Sequence, residues 1–191
     1  MIAESKVFTH GQLVQRAIAW LRNGAAMPPS WGGFARPLDR RTKCRVALAE
    51  ARGNTVEIPD AIGWAWGGRV SLVVECKVSR SDFLADAKKL FRKHSDWGMG
   101  QYRYFMAPAG LIAFDEVPEN WGLLELKSPT GRIAVTRVAL PQKHNQSAEL
   151  GAMFQAMSCL TWNSEIALDR IRAGVSVGDE CESVQFRPDE L

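Results

Sequence analysis

The chain has 191 residues, enough for one domain with its own core and too few for two comfortable ones. Its 46% hydrophobic and 24% charged residues are ordinary for a globular protein and exclude a disordered or fibrous one. A net charge of +3 is too small to mark a nucleic-acid binder by itself, and no apolar run is long enough to span a bilayer.

Charge distribution says more than the total. Arg36, Arg40, Arg41, Lys43 and Arg45 cluster in one stretch, and Arg80, Lys88, Lys89, Arg92, Lys93 and Arg103 in another, while residues 179–191 are acidic. A body more basic than the whole suits a polyanionic partner. The four cysteines, at 44, 76, 159 and 181, have no metal-type spacing, and no basic segment followed by an apolar core opens the chain. The expectation is a reduced, cytoplasmic protein without a membrane partner: a single domain over 1–178 and a flexible acidic tail over 179–191.

In chain order, residues 9–23 place Leu13, Ala17, Trp20 and Leu21 at helical spacing, with Thr9 as N-cap and Gly24 as stop. Residues 25–42 are rich in Pro and Gly and read as a long loop. An apolar run over 44–51 precedes Arg52-Gly53-Asn54, a turn signal, so a strand enters a hairpin and returns over 55–58 to Pro59, which has no N–H for a ladder. Residues 62–66 extend that segment, Gly67-Gly68 turns the chain, and 70–77 forms a central strand, giving a three-stranded meander.

Residues 79–94 predict the clearest helix, with Ser79 and Asp82 as a capping pair and Phe83, Leu84, Ala87, Leu90 and Phe91 as its apolar face. Residues 102–107 predict a fourth strand, and a helix between two strands is a crossover that lets them lie parallel. A hairpin over 122–126 and 133–138 and a long helix over 147–172 complete the reading. The Met and Leu stripe of that last helix reads as core or as a dimer face.

The central strand carries the chemistry. Alternation puts Leu72, Val74 and Cys76 on one face and Val73, Glu75 and Lys77 on the other, so an acid and a base stand side by side on an apolar strand. Burying them is costly unless they pair or serve a metal and a phosphate. Asp60, ending the preceding run after Pro59, supplies a second carboxylate, and two hard oxygen ligands suit Mg²⁺ or Mn²⁺. Taken alone, Glu75 and Lys77 also read as a plain salt-bridged pair, and the cations at 88, 89, 92 and 93 as a solvated helix face. His10, His94 and His144 share no motif and read as surface residues.

Pro59-Asp60, a gap of 14 residues, then Glu75-Cys76-Lys77, continued by the run 75–89 and by Tyr102-Arg103-Tyr104 ahead of Pro108, resembles the PD-(D/E)xK nuclease superfamily in its MmcB-like DNA-repair and phage-encoded branch. The resemblance covers residues 47–126. It implies an α/β fold with a restriction-endonuclease-like αβββαβ core and mixed central sheet, extended here by the C-terminal hairpin and helix. It implies a metal-dependent DNA endo- or exonuclease of repair, recombination or phage DNA metabolism. Asp60, Glu75 and the Cys76 backbone carbonyl would hold the metal, and Lys77 would orient the attacking water and stabilise charge at phosphorus. Many members carry a further acid on the first helix. The helix over 9–23 has none, and Glu50 is the nearest stand-in as a ligand.

Arg80, Lys88, Lys89, Tyr102 and Arg103 are the expected DNA contacts, directed at phosphates and therefore without sequence preference. DNA is the expected partner, with a homodimer for coordinated double-strand cuts and a protein of repair or phage replication beside it. The competing function is a catalytically silent DNA-binding or partner-regulating module on the same fold.

Overall fold

The computed structural model describes residues 8–24, 42–52, 57–89, 92, 94, 96–127 and 130–172, with side chains as far as 162. The loop predicted over 25–42 lies almost wholly outside these residues, as do the turn at 53–54, Trp31 and the acidic tail.

Helix α1 (His10–Asn23) begins with a reciprocal cap: the Gln12 N–H donates to the Thr9 hydroxyl at 3.3 Å and the Thr9 N–H to Gln12 Oε1 at 3.1 Å. Gly24 closes it at φ 123°. Strands β1 (Val46–Ala49), β2 (Ala61–Ala65) and β3 (Val70–Cys76) form the predicted antiparallel meander. The returning strand is β2; Glu57 and Ile58, predicted within it, are not in a strand.

Helix α2 (Arg80–Asp86) is half the predicted length. Its Ser79 cap is present, the Asp82 N–H donating to the hydroxyl at 3.2 Å. After Asp86 the backbone turns by three-residue steps, Lys88 N–H to Ala85 O, Lys89 N–H to Asp86 O and Arg92 N–H to Lys89 O, at 3.0–3.2 Å. Lys89 and Arg92 both reach the Asp86 carboxylate.

Strands β4 (Tyr102–Pro108) and β5 (Gly122–Lys127) follow in parallel, and β6 (Arg132–Arg137) pairs antiparallel with β5. The sheet order is β1-β2-β3-β4-β5-β6, so the fold is α/β with a six-stranded mixed sheet. The β3–β4 pair is parallel, as the helical crossover requires. The hairpin β5–β6 extends this same sheet.

Helix α1 covers one face of the sheet, packing Leu13, Ala17 and Leu21 against Leu72, Val74, Tyr104 and Met106. On the opposite face Val73 and Ile62 meet Ala148 and Ala152 at the start of α3 (Gln146–Arg172), while Phe83 of α2 packs with Phe105, Trp121 and Leu123. The chain divides into two compact units, 1–155 and 156–191. The first holds the sheet, α1, α2 and the start of α3; in the second the described residues continue the helix. Leu150, Phe154, Met157 and Leu160, predicted as core or a dimer face, are exposed, so they form no part of the core. Among the described residues no helix is long and apolar enough to cross a membrane.

Candidate active site

The β2–β3 register pairs Ala61 with Val74, and one further step sets Asp60 opposite Glu75. Asp60 itself is the bend residue immediately before β2, beside the strand position of Glu75. Asp60 is anchored to the neighbouring strand, Oδ2 accepting from the Cys76 N–H at 2.6 Å. Its Oδ1 lies 3.3 Å from His10 Nε2, at the start of α1. The Cys76 side chain points to the α1-facing core, as alternation dictates.

Glu75 and Lys77 are 2% and 3% exposed, which rules out a solvated surface pair. Lys77 Nζ is 3.9 Å from Glu75 Oε2 but 2.9 Å from Asp86 Oδ1, with Asp82 at 3.7 Å. Arg92 spans three acids: Nη2 is 3.2 Å from Glu75 Oε2, Nη1 donates to Glu57 Oε1 at 3.0 Å, and Nε to Asp86 Oδ2 at 2.5 Å. Lys89 reaches Asp86 at 2.9 Å and Glu75 at 3.8 Å. The Arg92 guanidinium lies over the Trp121 ring, 4.5 Å from its centroid, and Trp121 stacks on Phe105.

Glu57 is fully buried and also accepts from the Met99 N–H. A Cβ at Gly98 would stand 2.8 Å from Glu57 Oε2 and from Arg103 Nη2, so glycine at 98 is what lets these two groups approach the backbone.

Charges this deep must be compensated, and the arrangement shifts them in opposite directions. Burial pushes the Glu75 carboxyl up to about 7; Arg92 and Lys89 pull it down, while Asp60 and Asp86 push it further up. For Asp86 burial also raises the carboxyl, but hydrogen bonds and charge from Arg92 and Lys89, with Lys77, outweigh it and hold it well below the usual carboxylate range. Glu75 Oε1 is buried and, among the described residues, has no hydrogen-bond partner.

That orphaned oxygen is the feature a cation would fit. A hard divalent ion takes carboxylate oxygens and keeps its remaining positions for water. Among the described residues no three or more His, Cys, Asp and Glu side chains form a ready-made metal cluster. The residues that would hold one here are two carboxylates, with the Cys76 carbonyl implied by the resemblance as the third donor.

The structure corrects several site expectations. Tyr102, expected at DNA, is fully buried in the α1-facing core, and Arg103 is 1% exposed, its Nε donating to Gly100 O at 3.1 Å. The reason is position: β4 lies between β3 and β5 with both faces covered, so neither alternate set of side chains reaches solvent. Arg80 is exposed but its guanidinium grips Glu116. Lys88 is exposed, and Lys89 turns toward the acids. Glu50 is exposed just after β1 with φ 47°; its backbone N–H donates to the Asp60 carbonyl at 3.1 Å, and among the described residues no side-chain contact joins it to the cluster. His10, read as a plain surface residue, is the part of α1 that touches Asp60.

Glu57, Asp86, Arg92 and Trp121 belong to the cluster but lay outside the predicted site. An acid two residues before Pro59-Asp60 was a usable signal for Glu57. Asp86, three residues after Phe83, shares its buried helix face.

No family model matches the chain, and no curated protein matches it. A solved protein of unknown function from Silicibacter pomeroyi shows 21% identity, a TM-score of 0.44, and coverage of 70% of this chain and 85% of that one. A likeness so slight carries no argument about fold or function.

Proposed function

We propose that the protein is a metal-dependent deoxyribonuclease of the PD-(D/E)xK type, its β1–β3 meander, crossover and β4 forming a restriction-endonuclease-like core. The observation that carries this reading is the orphaned, buried Glu75 Oε1 set across from Asp60, with Lys77 two residues along the same strand. A divalent cation, Mg²⁺ or Mn²⁺, would be held by Asp60 and Glu75 and would supply polarisation of a phosphoryl oxygen and easier ionisation of the attacking water. Asp60 and Glu75 hold that charge in place, and Cys76 contributes its carbonyl. Lys77, paired with the Asp86 carboxylate, steadies negative charge at phosphorus. Lys88 and the half-exposed Lys89 offer nearby phosphate contacts of the sequence-independent kind. DNA of repair, recombination or phage metabolism is the substrate, and a second copy or a protein partner would pair two such sites.

The second reading, a silent DNA-binding or partner-regulating module, is favoured by one observation. Arg92, Lys89 and Lys77 already neutralise Glu75 Oε2 and Asp86 from within. Labelled single-stranded, duplex, flap and four-way DNA, incubated in Mn²⁺, Mg²⁺ or EDTA beside Lys77→Ala, tests both. Cleavage that needs the metal and Lys77 is the expected result. Salt-sensitive binding with no cleavage in any condition would leave the module instead.

A further inference from the structure

We propose that His10 is a positioning residue for Asp60: its imidazole holds the carboxylate that, in the reading just given, receives the metal. The inference rests on that reading and adds to it a role for α1.

Asp60 has one oxygen fixed by its own sheet, Oδ2 on the Cys76 N–H at 2.6 Å. One such bond leaves the carboxylate free to swing about it. His10 Nε2, 3.3 Å from Oδ1, supplies the second point and so defines the carboxylate plane. Partners of this kind, one shell out from a metal, set ligand orientation and tune affinity by roughly 10–100-fold.

The position of His10 is itself determined by local sequence. It is the first residue of α1, directly after the Thr9 cap, whose reciprocal bonds with Gln12 fix where the helix starts. Leu13, Ala17 and Leu21 then fix the helix on the sheet through the fully buried core. The imidazole is therefore delivered by a rigid element, with its own side chain 44% exposed at the rim. The second carboxylate, Glu75, has among the described residues no hydrogen-bond partner on Oε1, so motion of Asp60 would alter how the two acids share a cation.

The experiment is Mn²⁺ binding, followed by the loss of the free-ion electron paramagnetic resonance signal, in the full chain. Wild type is compared with His10→Ala, His10→Gln and Asp60→Ala, each checked for unchanged thermal unfolding. His10→Ala should weaken Mn²⁺ about 10-fold. His10→Gln, whose amide nitrogen replaces Nε2 as donor, should recover most of it. In cleavage, His10→Ala should raise the Mn²⁺ concentration needed for half-maximal rate and leave the rate at saturating metal unchanged. Unchanged Mn²⁺ affinity in His10→Ala, with Asp60→Ala weakened, would overturn the role of His10 alone. Directly coordinated nitrogen in the bound Mn²⁺ spectrum, lost in His10→Ala, would also overturn it, by making His10 a ligand. Wild type and Asp60→Ala binding Mn²⁺ equally poorly would remove the metal reading itself.

Discussion

Lys77 Nζ lies 1.0 Å nearer to Asp86 than to Glu75, the acid two residues away on its own strand (2.9 against 3.9 Å). Helix α2, not the strand, holds the ammonium. Asp86→Ala should therefore leave Lys77 and Arg92 buried without their closest partner and cost about 3–5 kcal/mol of stability. Asp86→Ala combined with Lys77→Met should recover part of that loss. Urea unfolding of the two single variants and the double measures the coupling; simple additivity would contradict the pairing.

Glu75 makes stability depend on pH in a defined direction. Its folded carboxyl is raised from 4.5 to about 7, so below the unfolded value both states hold the proton and this contribution is fully present. As pH rises the unfolded chain loses its proton first, and the contribution disappears as the folded group ionises near 7. Glu75→Gln should be little different from wild type at pH 4 and more stable by on the order of 2–3 kcal/mol at pH 8. Asp86, held low, works in the opposite sense: its contribution is present above the ordinary Asp range and is lost on acidification through the folded value. Unfolding curves across pH 4–8 check the Glu75 slope, and their extension below pH 4 checks that of Asp86.

Gly98→Ala places a methyl group against Glu57 Oε2 and the Arg103 guanidinium at 2.8–2.9 Å. These side-chain ends belong to a filled, buried network, and the expected cost is about 1–3 kcal/mol. Calorimetric unfolding reads it. A neutral substitution would mean that the network shifts without strain.

Trp121→Ala removes the ring under Arg92 and the stacking partner of Phe105, both at 4.5 Å. A loss of about 3–5 kcal/mol is expected, with Trp121→Phe losing less. If the two variants unfold alike, the ring face contributes nothing to holding Arg92.

The pattern of the chain made the sheet legible because alternation and helical spacing are local. Residues 9–23, 70–77 and 102–107 all resolve as read, and Leu72, Val74 and Cys76 do face the opposite core from Glu75. The length of α2 was not legible: the residues after Asp86 keep helical composition, but α2 ends at Asp86, where Lys89 and Arg92 turn to the buried Asp86 and Glu75. The same limit applies to the site. Asp60, Glu75 and Lys77 sit in one recognisable run, whereas His10 meets Asp60 across 50 residues of chain and Glu57 meets Arg92 across 35. Tyr102 and Arg103 looked like DNA contacts because sequence shows composition and hides how many strands flank β4.

Strand β3 has an antiparallel neighbour on one side and a parallel one on the other. Asp60 and Glu75 therefore meet by closing a local hairpin, while Phe105 reaches the strand position of Glu75 only after the whole crossover has been laid down. Loop closure costs more entropy over the longer span, so the two acids come together early and the covering layer follows. Substitutions in the β2–β3 hairpin should slow refolding, and those at Trp121 should chiefly speed unfolding. The chain thus assembles its charge-bearing strand pair while that pair is still open to water, and seals it last.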